Sequence, residues 1–179
     1  MSKKRKVVLF IAMSLDGYIA DKNGDLDWLY AVEGEGDNGF SSFYKTIDTI
    51  VMGRTTYDHL LRLVPEYPHG DKNSYIFSHT EKRNEPYVTF VNEDPGTFIQ
   101  TLQKQEGMNI WLVGGAGLLD SFLQKNLVDE IILTISPIIL GEGTPLFRPN
   151  AHEIQFHLVN QKQYGQFVQI HYKVRSATN

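Results

Sequence analysis

The sequence predicts a single α/β domain over residues 1–179, with a mixed, mostly parallel central sheet, a C-terminal antiparallel hairpin and about four flanking helices. Two patterns predict this fold class. Short apolar runs alternate with segments of helical periodicity along most of the chain, which is typical of βαβ units. Near the end, two such runs are separated only by a turn that contains Gly165, which is typical of an antiparallel hairpin.

Each predicted strand is a short apolar run bounded by polar or glycine-containing sequence. The run from Val7 to Met13 contains no polar residue, so it is expected to be a central strand buried on both faces. The other predicted strands are Thr49–Met52, Ser74–Phe77, Val88–Val91, Asn109–Val113, Glu130–Ile135, Ile154–Asn160 and Phe167–Lys173.

Four segments show helical spacing of apolar residues. One helix is expected to begin near Asp37 or Asn38, and Thr55–Leu63 is predicted as the second. In the third, Asp94 is placed to cap the helix and Pro95 to occupy its first position. The fourth follows a glycine-rich turn and ends near Lys125. The long polar stretch 14–39 is predicted as a loop, and loops of this length are usually functional.

Composition excludes several classes of protein. Seventeen basic and twenty-one acidic residues give a net charge of −4, which offers no reason to expect nucleic-acid binding. The absence of cysteine excludes disulfides, cysteine-ligated zinc and thiol catalysis, and it is compatible with a cytoplasmic location. No apolar run approaches the ~18 residues of a membrane span. The histidines show no pair at metal-ligand spacing, so no metal site is predicted.

The strongest local signal for a ligand is the segment from Ile110 to Leu118, where an apolar strand runs into Gly114-Gly115-Ala116-Gly117 and then a helical pattern. Glycine lets the backbone approach a ligand closely, and the free N–H groups of a helix N-terminus attract an anion. A diphosphate suits such a turn. The alternative is a tight strand-to-helix turn that holds no ligand.

A second strand-to-helix turn contains Gly53, Arg54, Thr55 and Thr56. Either threonine can cap the helix and donate to a phosphate, and Arg54 provides a planar fork of donors. The alternative is an exposed arginine beside a capping threonine. Two helix starts of this kind in one domain favour a dinucleotide over a mononucleotide.

Four motifs, in order, resemble the dihydrofolate reductase-like superfamily. The chain is most similar to stand-alone proteins related to the C-terminal reductase domain of the riboflavin-biosynthesis deaminase-reductase, RibD. The motifs are Ser14–Ala20, Val51–Tyr57, Val113–Gly117 and Thr134–Phe147, and the resemblance covers about residues 5–173. It implies a three-layer dihydrofolate reductase-like fold, NADPH bound across the ends of the strands, a small-molecule substrate and a homodimer.

The resemblance also implies roles for individual residues. Gly53, Arg54, Thr55 and Thr56 would bind the adenosine end of NADPH, with Ser78 and His79 near its 2′-phosphate. The diphosphate would be bound by Gly114, Gly115, Ala116, Gly117 and Leu118, and the nicotinamide would be bordered by Ala12 and Ile19. The substrate side would include Asp16, Trp28 and Phe40, with Trp28 in the position of the tryptophan of the reductases' mobile active-site loop.

Asp37 lies sixteen residues before Gly53, which suits the acidic residue that the reductases carry on their first helix. On this interpretation Asp37 is catalytic: it fixes or helps to protonate the acceptor nitrogen, with the second catalytic residue, Thr134, hydrogen-bonded to it. The alternative is that Asp37 is a stabilising charge at a helix N-terminus. The arginines that bind the ribose phosphate in the riboflavin reductase have no clear counterpart in residues 14–44, and no deaminase domain is expected.

The resulting functional prediction is an NADPH-dependent oxidoreductase. It would transfer hydride to a C=N or C=O carbon of a pterin-, pyrimidine- or phosphoribosylamino-type compound, as 5-amino-6-(5-phosphoribosylamino)uracil reductase does. NADPH is preferred over NADH because Arg54, His79, Lys82 and Arg83 are basic or ionisable residues near the expected 2′-phosphate. The alternative from another class is an NADPH-binding protein without turnover, acting as a sensor or scaffold.

Overall fold

The computed structural model describes residues 4–80, 86–149 and 153–175, and it has the predicted α/β architecture. The strands are β1 (Val7–Ser14), β2 (Tyr18–Ala20), β3 (Ile47–Gly53), β4 (Asn73–Phe77), β5 (Val88–Val91), β6 (Asn109–Gly114), β7 (Glu130–Ser136), β8 (Thr144–Pro145), β9 (Phe156–Tyr164) and β10 (Phe167–Val174). The helices are α1 (Asp27–Tyr30), α2 (Phe40–Tyr44), α3 (Arg54–Leu63), α4 (Pro95–Gln103) and α5 (Ala116–Gln124).

Eight of these strands form one mixed sheet in the order β5-β4-β3-β6-β1-β7-β10-β9. The first six strands in that order are parallel to one another, and the hairpin β9–β10 adds two antiparallel strands beside β7. The mostly parallel sheet with its C-terminal antiparallel hairpin is therefore confirmed. Strands β2 and β8 pair separately as a small second sheet.

The sheet is the middle of three layers, because each face carries its own apolar cluster. On one face Val7, Leu9 and Leu112 pack with side chains of α4 and α5, including Ile99 and Phe122. On the other face Ile50, Met52 and Ile76 pack with Phe43 of α2 and Tyr57 of α3. In β1 the predicted burial on both faces holds for Val7 to Leu9, whereas residues 10–13 are half-buried.

The helix starts test the capping predictions. Asp94 caps α4 as predicted: its carboxylate accepts from the backbone N–H of Thr97 at 3.1 Å, and Pro95 occupies the first turn. The predicted threonine cap of α3 is wrong, because the helix begins at Arg54 and Gly53 is its N-cap, without a side-chain hydrogen bond. Thr55 and Thr56 consequently lie inside the first turn of α3.

Several elements differ from the predictions, among them α2, which begins at Phe40 rather than near Asp37 or Asn38. The stretch 14–39 contains the short elements β2 and α1, so its polar composition concealed local structure. Among the described residues there are five helices rather than four, because α1 is a single turn. The first strand of the hairpin begins at Phe156 and continues to Tyr164.

None of the helices in the described residues is long and apolar enough to cross a membrane.

Candidate functional site

The six parallel strands end at one edge of the sheet, which is where open α/β folds bind ligands. The last residues of these strands are Ser14, Gly53, Phe77, Val91, Gly114 and Ser136. The sequence motifs that suggested a ligand follow these residues directly. The fold therefore collects them along a single edge, although they are far apart in the chain.

The two glycine-containing turns lie side by side, because β3 and β6 are neighbours and Met52 pairs with Gly114. A Cβ placed on Gly115 would lie 3.1 Å from Thr56 Oγ1, and one placed on Gly53 would lie 3.7 Å from the Gly115 nitrogen. Gly114 has a φ of +124°, and the peptide bond from Gly114 to Gly115 is cis. The turns thus bring the N-termini of α3 and α5 together, and the unpaired N–H groups of both helices adjoin the same edge.

Arg54 extends away from the glycine turns, toward β5. Its Nε donates to both carboxylate oxygens of Asp58 at 2.9 Å, and its guanidinium carbon lies 5.5 Å from the centre of the Phe90 ring. This places Arg54 on the β5 side of the edge. It also gives the guanidinium a carboxylate partner, with which an incoming phosphate would have to compete.

Ser78 and His79 follow the end of β4. The Ser78 N–H donates to the Val91 carbonyl oxygen at 2.9 Å, which ties this turn to β5, and His79 Nδ1 lies 3.0 Å from Asn92 Oδ1. Both residues are therefore on the β5 side of the edge. Lys82 and Arg83, the other basic residues that favoured NADPH, lie outside the described residues.

Ala12 and Thr134 are paired neighbours on β1 and β7, near the carboxyl ends of these strands. Ile19, in β2, packs against the core cluster on the α5 side of the sheet. Asp16 is exposed, and its carboxylate accepts from the N–H groups of Leu140 and Gly141 at 3.1 and 2.7 Å. These hydrogen bonds connect the loop between β1 and β2 to the loop between β7 and β8.

The two predicted aromatic substrate contacts are packed inside the protein. Trp28 is 8% exposed, and its indole N–H donates to the Asp25 carbonyl oxygen at 3.2 Å. Phe40 is half-buried in an aromatic cluster, with its ring centre 6.0 Å from that of Phe10 and 5.6 Å from that of Trp111. The structure therefore places Phe40 in the aromatic cluster with Phe10 and buries Trp28 in α1.

Asp37 does not make the expected hydrogen bond to Thr134. Its exposed carboxylate accepts from the backbone N–H groups of Gly39 and Ser41 at 3.0 and 2.8 Å, just before and inside α2. The hydrogen bonds from Ser41 lower the pKa of Asp37 below its ordinary value. An acid of this kind is ionised at neutral pH and has no proton to donate, so the geometry supports the alternative of a stabilising charge at the start of α2.

The hydroxyl of Thr134 is instead bound by Gln169, which sequence analysis missed. Gln169 Nε2 donates to Thr134 Oγ1 at 3.0 Å and to the Asn38 carbonyl oxygen at 3.2 Å. Thr134 and Gln169 are directly opposite each other on β7 and β10. A single glutamine in a polar hairpin gives no local sequence signal. Its position beside Thr134 follows only from the pairing of β10 with β7.

A cavity of about 140 Å³ lies between this hairpin and α2. Its apolar lining includes Phe10, Phe43 and Ile132, and its polar lining includes Lys162, Gln169 and His171; the remaining residues are Gly39, Asn160, Gln161 and Tyr164. His171 Nε2 lies 3.0 Å from Glu130 Oε2, and Lys6 Nζ lies 2.5 Å from the other carboxylate oxygen. Burial raises the pKa of Glu130, but these two partners outweigh it and leave the pKa below its ordinary value.

Comparison with known proteins agrees with this architecture. The family model described as the RibD C-terminal domain matches residues 5–170. The uncharacterized protein YwjB of Bacillus subtilis (strain 168) is 46% identical over 170 residues, covering 94% of this chain and 98% of YwjB.

Two solved structures are also similar. A Shewanella sp. PV-4 protein named for a proposed role in riboflavin biosynthesis has a TM-score of 0.86 at 32% identity, covering 98% of this chain and 100% of that one. Dihydrofolate reductase from Enterococcus faecalis, complexed with NADP(H) and RAB-propyl, shares the fold with a TM-score of 0.68 at 17% identity, covering 98% and 100% of the two chains. The chain therefore belongs to the RibD C-terminal domain family and has the dihydrofolate reductase-like fold.

Proposed function

We propose that this protein is an NADPH-dependent reductase that transfers hydride to a C=N or C=O carbon of a pterin-, pyrimidine- or phosphoribosylamino-type compound. The observation that carries the proposal is the junction of two helix N-termini and two glycine turns at the carboxyl edge of the sheet. Membership of the RibD C-terminal domain family supports the same class of reaction, with 5-amino-6-(5-phosphoribosylamino)uracil as the first acceptor to test.

The residues at the edge fit a dinucleotide. Side chains are missing where the two turns meet, since a Cβ on Gly115 would crowd Thr56 Oγ1 at 3.1 Å. The missing side chains leave the helix N–H groups open to a diphosphate. The Ser136 hydroxyl at the end of β7 is fully buried and has no hydrogen-bond partner among the described residues, and an unsatisfied group of this kind is typical of a site completed by a ligand or water.

Each part of the edge would then have one task. Gly53 to Thr56 bind the adenosine end, Ser78 and His79 lie toward the 2′-phosphate, and Gly114 to Leu118 bind the diphosphate. Ala12 and Ile19 border the nicotinamide. When bound, NADPH supplies the hydride, and the protein supplies position and electrostatics.

On the acceptor side, Thr134 and Gln169 hold and orient the substrate, and the apolar floor of the adjoining cavity accommodates a flat ring. Because Gln169 donates to Thr134 Oγ1, the hydroxyl hydrogen of Thr134 remains available for another acceptor. Neither group is an acid at neutral pH, and Asp37 is bound to its own helix. We assign the proton that follows the hydride to solvent water rather than to Asp37.

A protein that binds NADPH without turnover is the competing function. Both candidates need the glycine turns, but only the reductase needs a working acceptor side. The deciding experiment first titrates NADPH by fluorescence and then follows NADPH absorbance with a panel of pterins, pyrimidines and phosphoribosylamino compounds. Oxidation with any acceptor supports the reductase. Binding without oxidation across the panel supports the sensor or scaffold, and no binding rejects both.

We further propose a homodimer in the cytoplasm. The outer strand of the sheet, β9, is nine residues long with a mostly exposed side, where Leu158 and Val159 are 57% and 53% exposed. An exposed edge strand of this length is normally covered, and a second copy of the chain could pair with it. Light scattering coupled to size-exclusion chromatography tests this: a monomer at micromolar concentration would reject the dimer.

A further inference from the structure

Arg148 is a charged residue beside the glycine-rich turn that the sequence motifs did not include. The preceding backbone is fixed, because Leu146 is 1% exposed and its N–H donates to the Gly17 carbonyl oxygen at 2.8 Å. A Cβ placed on Gly117 would lie 3.1 Å from Arg148 Nη2 and 3.7 Å from its guanidinium carbon. The guanidinium therefore rests on the first turn of α5.

Gly117 has no conformational reason to be glycine. It lies inside α5 and is absent from the residues with positive φ, and glycine within a helix is destabilising relative to alanine. Glycine at this position leaves room for Arg148, since a Cβ at position 117 would crowd the guanidinium at 3.1 Å. Gly117 and Arg148 thus act as a pair that brings a cation over the helix N-terminus.

This placement concentrates positive charge. A helix N-terminus carries a partial positive charge, so a cation there is electrostatically unfavourable without an anion nearby. Among the described ion pairs none involves Arg148, whereas Arg54 is paired with Asp58. A bound group with negative charge would satisfy both the helix N–H groups and the guanidinium.

We propose that Arg148 binds the diphosphate of the dinucleotide, a proposal that rests on the proposed function of the glycine turns. Arg148 and Arg54 then divide the cofactor between them. Arg148 contacts the diphosphate, which is common to NADPH and NADH, and Arg54 contacts the 2′-phosphate, which only NADPH carries.

The test measures dissociation constants of NADPH, NADH and ADP-ribose for the full chain and for Arg148→Gln. ADP-ribose keeps the diphosphate but lacks the nicotinamide and the 2′-phosphate. We expect Arg148→Gln to weaken all three ligands by a similar factor of about 10–100, the range for a lost hydrogen bond to a charged group. Arg148→Lys, which keeps the charge but not the fork, should recover part of the loss.

Arg62→Gln is the matched control, because it removes the same charge from another exposed position, in the last turn of α3. It should leave all three affinities within about twofold of the parent protein. Thermal unfolding should show both variants as stable as the parent, since both arginines are exposed.

Each outcome decides the proposal. Equal affinities of Arg148→Gln and Arg62→Gln for all three ligands would overturn it and leave the proposed function intact. A loss confined to NADPH would reassign Arg148 to the 2′-phosphate and overturn the diphosphate contact. If the parent protein bound none of the three ligands, the proposed function and this inference would both fail.

Discussion

The candidate site has two halves, one formed mainly by backbone groups and the other by side chains. On the β3–β6 half the surface offered to a ligand is mostly backbone, because glycines remove side chains from two helix N-termini that already carry unpaired N–H groups. On the β7–β10 half it is made of side chains, where Thr134, Gln169 and the Asn38 carbonyl oxygen are linked by hydrogen bonds. On the proposed function, the first half would bind the diphosphate, whereas the second would discriminate among acceptors. Substitutions should therefore act differently on the two halves.

The largest effect is expected from Gly115→Val on the backbone half. Its branched side chain begins 3.1 Å from Thr56 Oγ1 and would fill the space where the two turns meet. We expect NADPH binding to weaken by more than about 100-fold while the protein stays folded. Fluorescence titration and thermal unfolding measure the two properties.

Gly70→Ala is the control for this glycine substitution, because a Cβ there would make only ordinary contact with Tyr87, at 3.5 Å. A folded Gly115→Val protein with the affinity of Gly70→Ala would show that the turn is structural and that the cofactor site lies elsewhere.

The second prediction concerns the charges under the side-chain half. The pKa of Glu130 is lowered in the folded state, so the stability from this carboxylate is present above its ordinary value near 4.5 and is lost as the pH falls through the lowered value. Glu130→Gln should cost roughly 1.5–3 kcal/mol at neutral pH and flatten this acid dependence.

Unfolding temperatures measured from about pH 3 to pH 7 test the acid dependence. Glu142→Gln, which breaks the exposed ion pair between Lys22 and Glu142, is the control and should change little. Parallel pH curves for the parent and Glu130→Gln would contradict the prediction.

Arg54→Ala should separate the two cofactors. We expect it to weaken NADPH by about tenfold and to leave NADH almost unchanged, near the lower limit for a charged contact because Asp58 already holds the guanidinium. Asp58→Asn removes that competitor and should improve NADPH relative to NADH. Equal losses for both cofactors in Arg54→Ala would exclude a contact with the 2′-phosphate.

Gln169→Leu probes the side-chain half alone. It keeps the approximate volume but removes the donor to Thr134 and to the Asn38 carbonyl oxygen. We expect the KM for the acceptor to rise by about three- to tenfold, with NADPH affinity unchanged, as is typical of losing one neutral hydrogen bond. Steady-state kinetics with an acceptor from the panel give the answer, and a change in NADPH affinity would refute the division into two halves.

The smallest effect is expected from Asp37→Asn. On the capping interpretation it costs a few tenths of a kcal/mol of stability and no turnover. The catalytic interpretation requires instead a loss of turnover of about 10²–10⁴-fold. Denaturant unfolding and steady-state rates distinguish the two, and a rate loss in that range would restore Asp37 as a catalytic residue.

The sequence was informative wherever structure depends on neighbouring residues. The parallel sheet, the hairpin at Gly165 and the cap of α4 by Asp94 all follow from local patterns, and the structure confirms them. The glycine turns were recognisable for the same reason, because strand, turn and helix are continuous in the chain.

Other features could not be predicted from the sequence because they depend on contacts between distant segments. Gln169 is placed beside Thr134 by strand pairing, and Arg148 reaches Gly117 from a loop anchored on Gly17. The predicted cap of α3 was wrong for a smaller reason: glycine can serve as N-cap, and the helix then starts two or three residues earlier than a cap at Thr55 or Thr56 would allow.

The hydrogen bond between Gln169 and the Asn38 carbonyl oxygen joins residues 131 positions apart. Contacts of such high separation form late in folding, because a long loop must close before they are gained. During synthesis, α3, β6 and α5 emerge well before β10, so the glycine turns can assemble while the acceptor side still lacks its last strand. On the proposed function, the segments that would bind the diphosphate are therefore complete in the growing chain before the strand that completes the acceptor side.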